Sequence, residues 1–99
     1  MRENPLKTIK KLDEKFFLDV TETGERAFKE GALPVKMKYL IAMVLDASHG
    51  AAGGVTSLAS QAIKHGATKE EISEALQVAN YISGVGSVYT ASFGLKNLF

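Results

Sequence analysis

The chain has 99 residues, with 12 Lys and Arg, 11 Asp and Glu, a net charge of +1 and no cysteine. That is enough for one domain with a single, modest core, expected to span residues 1–99 with 1–11 as a peripheral N-terminal segment. The near-neutral charge supplies no basic field for nucleic acid, and the missing cysteines exclude both a disulfide framework and a thiol nucleophile.

The charges are unevenly spread. Residues 1–38 hold nine Lys/Arg and seven Asp/Glu, whereas residues 39–99 hold only Lys64, Lys69, Lys96, Asp46, Glu70, Glu71 and Glu74. A stretch so poor in charge is not readily wetted on all sides, so part of it is expected to face another subunit. The longest apolar run, Tyr39 to Leu45, is far below the roughly 20 residues that span a bilayer. Met-Arg-Glu-Asn-Pro at the start has no apolar signal core, so the expected setting is cytoplasmic, with no membrane partner.

In chain order, Pro5 to Lys11 reads as a short helix with Asn4 as N-cap and Pro5 at the first helical position. From Leu12 to about Lys29, the positions Leu12, Phe16, Val20, Ala27 and Phe28 approximate one helical face, with Gly24 as a weak point where a bend is expected. Gly31 is read as the end of this helix and Pro34 as the first turn of the next. From Val35 to about Ser48 almost every position is apolar, which predicts a central helix buried on most sides. Residues 51–65 place Val55, Leu58, Ala59 and Ala62 on one face of a small-residue helix. Gly66 suits a helix end that needs a left-handed residue, and Thr68 with Glu71 forms the capping box that opens a helix over 69–82. After the Gly84–Gly86 break, a last helix over about 86–97 is expected to contribute Val88, Tyr89, Ser92, Phe93 and Leu95. No segment alternates with period two, so the class is all-α: a compact bundle of five to six helices around a central antiparallel pair.

Three side chains are candidates for chemistry. Tyr39 and Asp46 are seven apart and so share one face of the central helix, and His49 lies about 60° further round. A carboxylate beside an imidazole is an acid–base pair suited to neutral pH. The structural alternative has Asp46 ordering the glycine-rich turn through backbone N–H groups and His49 as a solvated residue that suits the helix dipole. Gly50-Ala-Ala-Gly-Gly54 before a helix could cradle an anion, or simply permit close helix packing. His65 reads as a partner of a helix C-terminus, and Tyr81 and Tyr89 as core or interface aromatics. Two histidines with no second carboxylate at ligand spacing give no expectation of a metal, and no cofactor is expected.

An apolar helix, a turn and a helix ending in Ala62-x-x-x-Gly66-Ala-Thr-x-Glu-Glu-Ile72 resembles the carboxymuconolactone decarboxylase family, which includes the AhpD-type alkylhydroperoxidases, over residues 28–95. The resemblance implies that family's helical fold and its habit of assembling into trimers or hexamers. Its redox site, a Glu followed by Cys-x-x-Cys-x-x-x-His, falls on Tyr39, Ala51, Gly54 and Leu58 here, so all four positions are replaced. A peroxidase cycle needs one thiolate to attack the peroxide and a second thiol to resolve the product. The resemblance therefore implies a homologue of thiol peroxidases and decarboxylases that works without redox chemistry, as a ligand-binding or scaffold protein. The other reading is an enzyme that uses Asp46 with His49 or Tyr39 on a small carbonyl or carboxylate substrate. The expected partners are further copies of the chain and a small-molecule ligand.

Overall fold

The computed structural model describes residues 4–99 and contains six helices. They are α1 (Lys7–Leu12), α2 (Glu14–Phe28), α3 (Val35–Ser48), α4 (Ala52–Lys64), α5 (Lys69–Ser83) and α6 (Gly86–Leu95). No strand occurs among the described residues, and none of the helices is long and apolar enough to cross a membrane.

The centre is the antiparallel pair α3 and α4, against which α5 and α6 pack. Met43 and Val55 are fully buried, and Leu40, Ala47, Ala59, Ala62, Ile72 and Ala91 complete the inner layer. Both members of the pair stop in the same way. Gly50 (φ 79°) and Gly66 (φ 98°) take the left-handed conformation. The following N–H groups, on Ala51 and Ala67, then return to the carbonyls of Asp46 and Ala62 at 2.9 Å each. The expected capping box is present: Glu71 N–H donates to Thr68 Oγ1 at 3.0 Å, and Thr68 N–H donates to Glu71 Oε1 at 2.9 Å. Lys36 adds a 3.0 Å ion pair from α3 to the same carboxylate. The Thr68 N–H, helped by Lys36, holds the Glu71 carboxyl below its ordinary range.

Several local expectations are revised. Residues 5–29 form two helices as expected, but the junction lies at Asp13 rather than after Lys11. Asp13 is extended, accepts from Phe16 N–H at 3.1 Å and caps a helix of its own, so α1 ends at Leu12. Asn4 caps the turn ahead of α1, its Oδ1 accepting from Leu6 N–H at 2.9 Å. Helix α2 runs unbroken through Gly24 and ends at Phe28 without a left-handed residue, so Gly31 lies in the connector, while Pro34 precedes α3. The last helix stops at Leu95 and buries Ser87, Ala91 and Gly94; of its large residues Leu95 packs against the core as expected, whereas Tyr89 and Phe93 do not. Tyr89 and Phe93 face outward, because the backbone of α4 comes too close to leave them room. A Cβ on Gly94 would lie 2.6 Å from the Ala52 carbonyl and 2.8 Å from Val55 Cβ. Helix α3 buries one side only, leaving Met37, Ile41 and Leu45 exposed at i, i+4, i+8.

Candidate functional site

The three candidate side chains lie on the last three turns of α3 and the turn that follows, and they do not converge. Asp46 is half-buried in the last turn of α3. Its main-chain carbonyl, not its carboxylate, closes the glycine turn, accepting from His49 N–H at 3.2 Å and from Ala51 N–H at 2.9 Å. The carboxylate lies over Gly54 in the first turn of α4: a Cβ there would collide with Asp46 Oδ2 and sit 2.8 Å from its Cγ. Ala51, the N-cap of α4, has no side chain that could cap the helix, and its first turn holds no acid, so the Asp46 carboxylate brings a negative charge to its positive end.

His49 is the exposed C-cap of α3, and among the described residues no hydrogen bond joins its ring to Asp46. Tyr39 lies two turns away, about 10 Å along the axis. Its ring is stacked on Phe28 of α2 at 4.5 Å between centroids and 16° between planes, and it lies 5.3 Å from the ring of His65. His65 in turn faces the Gln61 carbonyl through Nδ1 at 2.9 Å. Tyr39 thus joins α2 to the end of α4, and its role in the fold is an aromatic clamp. Sequence reading missed this clamp, although an aromatic at the end of α2 and a histidine beside Gly66 were its signals. It also missed the contact between Asp46 and Gly54, for which the only signal was a lone carboxylate one helix before a glycine pair.

Around these residues the interior is filled. Met43 has no exposed surface, and Tyr39 and Leu58 pack against the core cluster. Among the described residues no three His, Cys, Asp or Glu side chains gather as metal ligands. An open groove of about 660 Å³ lies elsewhere, between α5 and α6, lined by Ile72, Leu76, Val88, Leu95 and Phe99 together with Lys69 and Glu70.

This arrangement of helices can be set beside known proteins. The model of the carboxymuconolactone decarboxylase family matches residues 14–95. The chain belongs to this family. The fold is also similar to the crystal structure of an apo carboxymuconolactone decarboxylase family protein from Legionella pneumophila, with 31% sequence identity, 92% of this chain and 81% of that chain covered, and a TM-score of 0.84. No curated protein matches the chain. Of the four positions that the resemblance matched to the family's redox site, Tyr39 lies on α3 and the other three at the start and middle of α4. Ala51 is the N-cap, Gly54 lies under the Asp46 carboxylate, and Leu58 packs on the core.

Proposed function

We propose that this carboxymuconolactone decarboxylase family member performs no thiol chemistry and acts as a binding or scaffold protein, assembled from several copies in the cytoplasm. The observation that carries this reading is the filled interior beside the family's site: Met43 is fully buried, Leu58 and Tyr39 pack against the core, and the side-chain space at position 54 belongs to Asp46. A pocket occupied by its own side chains has lost the room in which a peroxide or lactone would react. The absence of cysteine removes both the attacking and the resolving sulfur. Assembly through the charge-poor C-terminal half is supported by the number of large apolar residues that α5 and α6 leave bare. The test is an alkyl hydroperoxide assay with a dithiol donor. No consumption above the uncatalysed rate is expected, and turnover proportional to protein concentration would overturn the reading.

A second reading rests on Asp46 itself, a half-buried carboxylate that makes no side-chain hydrogen bond among the described residues and lies at the start of a helix. As a base, with the exposed His49 nearby, it could move a proton on a small carbonyl compound. Asp46→Asn separates the two. Loss of a measured turnover with stability intact favours the enzyme, and unchanged behaviour in a ligand screen favours the binding protein.

A further inference from the structure

Of the residues that line the groove between α5 and α6, only Lys69 and Glu70 are charged, and they are neighbours at the start of α5. Both are exposed, and neither has an ion pair among the described residues. Glu71 beside them, by contrast, is held by Thr68 and Lys36. Along α5 the lining runs from Lys69 to Asn80, about 16 Å of helix. The floor is apolar: Ile72 is buried, Leu76 and Leu95 are half-buried, and Val88 adds the α6 side. Ser73, in contrast, is exposed. A groove of about 660 Å³ has the volume of a small-molecule site, about 300–1,000 Å³. Its length is close to half the roughly 30 Å hydrocarbon thickness of a bilayer, which is the reach of one acyl chain.

We propose that this groove holds a single-chain amphiphile with a zwitterionic head group, the chain lying along the floor and the head at Lys69 and Glu70. This rests on the binding-protein reading above and names its site and its class of ligand. Charge complementarity selects the head. A purely anionic head would meet Lys69 and be repelled by Glu70, and a purely cationic head would meet the reverse. A phosphate next to a quaternary ammonium satisfies both neighbours at once. The floor selects the rest of the molecule, since an unbranched chain removes apolar surface from water along the whole length of the groove. A chain that lies lengthwise beside α5 has left its bilayer, so the ligand comes as a free monomer and not as part of a membrane surface.

The test is calorimetric titration of the full chain with dodecylphosphocholine below its micelle concentration. Saturable binding of one molecule per chain is expected. Decylphosphocholine, two methylenes shorter, is expected to bind about fivefold more weakly, because methylenes in an open groove are only partly removed from water. Ser73→Trp lays an indole into the groove from an exposed position and is expected to weaken binding about tenfold, while far-UV circular dichroism stays helical. Lys69→Ala and Glu70→Ala are each expected to weaken binding about threefold, as suits an exposed ionic contact, and to leave binding of the uncharged dodecyl maltoside unchanged. No saturable binding, or binding that ignores Ser73→Trp and both alanine variants, overturns the proposal. So does flotation of the protein with phosphatidylcholine vesicles in place of monomer binding. A wild-type oligomer that binds no amphiphile and that Ser73→Trp dissociates assigns the groove to a second copy instead. None of these failures touches the reading of a protein without thiol chemistry, which the hydroperoxide assay decides separately.

Discussion

Gly54 and Asp46 compete for one small volume. Because a Cβ at position 54 would collide with the end of a short side chain rather than with backbone, the carboxylate can swing away, and Gly54→Ala is expected to cost about 1 kcal/mol, the low end for an inserted methyl group. The same substitution in an Asp46→Ala background should cost close to nothing, and urea unfolding of the four proteins measures the coupling. Additive costs would mean that the two side chains do not meet. At Glu71 the sign of the pH dependence follows from its depressed carboxyl. The folded state holds the anion more tightly than the unfolded chain, whose pKa is about 4.3, so this stabilisation is complete above that value and is lost as pH falls through the lower, folded one. Glu71→Gln is expected to flatten that part of the acid limb, with unfolding midpoints measured between about pH 5 and pH 3. Which residues make the capping box was legible in Thr68-x-x-Glu71, since the two partners lie only three residues apart in the chain. The place of the Asp46 carboxylate was not, because it depends on how two helices cross.

At the scale of elements, helix starts and stops were read well wherever a local device sets them. Gly66 and Gly84 mark ends as expected, and α3, α4 and α5 fall within a residue or so of their expected bounds. The break at Asp13 was placed two residues early because the apolar period continues across it: Leu12 and Phe16 read as one stripe although they belong to two helices. In α6 the large residues misled. Its inner face is Ser87, Ala91 and Gly94, since close approach to α4 selects for the smallest side chains. Thr56 fixes that approach by donating from Oγ1 to the Gly94 carbonyl at 2.5 Å. Gly94→Ala should therefore cost about 1–3 kcal/mol, because the atoms in its way are the Ala52 carbonyl and Val55 Cβ, neither of which can rotate aside. Chemical denaturation gives the value, and a loss under about 0.5 kcal/mol would mean that α6 slides freely on α4.

Across the whole molecule, a single chain keeps an inner layer of mostly small and medium side chains and leaves Leu12, Phe16, Tyr81, Ile82, Tyr89 and Phe93 outside. The uneven charge of the sequence pointed to such a surface. How α2 is covered was not legible, because an amphipathic pattern says that one face packs without saying against which element. The arrangement also has a kinetic reading. Three residues, His49 to Ala51, join α3 to α4, so the most extensive helix pairing in the molecule is also among the most local. Its loop closes at little entropic cost, and local contacts form early in folding. The α3–α4 hairpin is the natural nucleus, with α5 and α6 condensing on it and α1–α2 settling last. Amide exchange in the native protein should follow the same gradient, slowest at Met43, Ala59 and their neighbours and fastest in the N-terminal half of α2 when the protein is diluted. Newly made chains would then gather the apolar residues of α5 and α6 into their outer faces only after the centre has set, which shortens the life of a contiguous sticky surface on a half-folded chain.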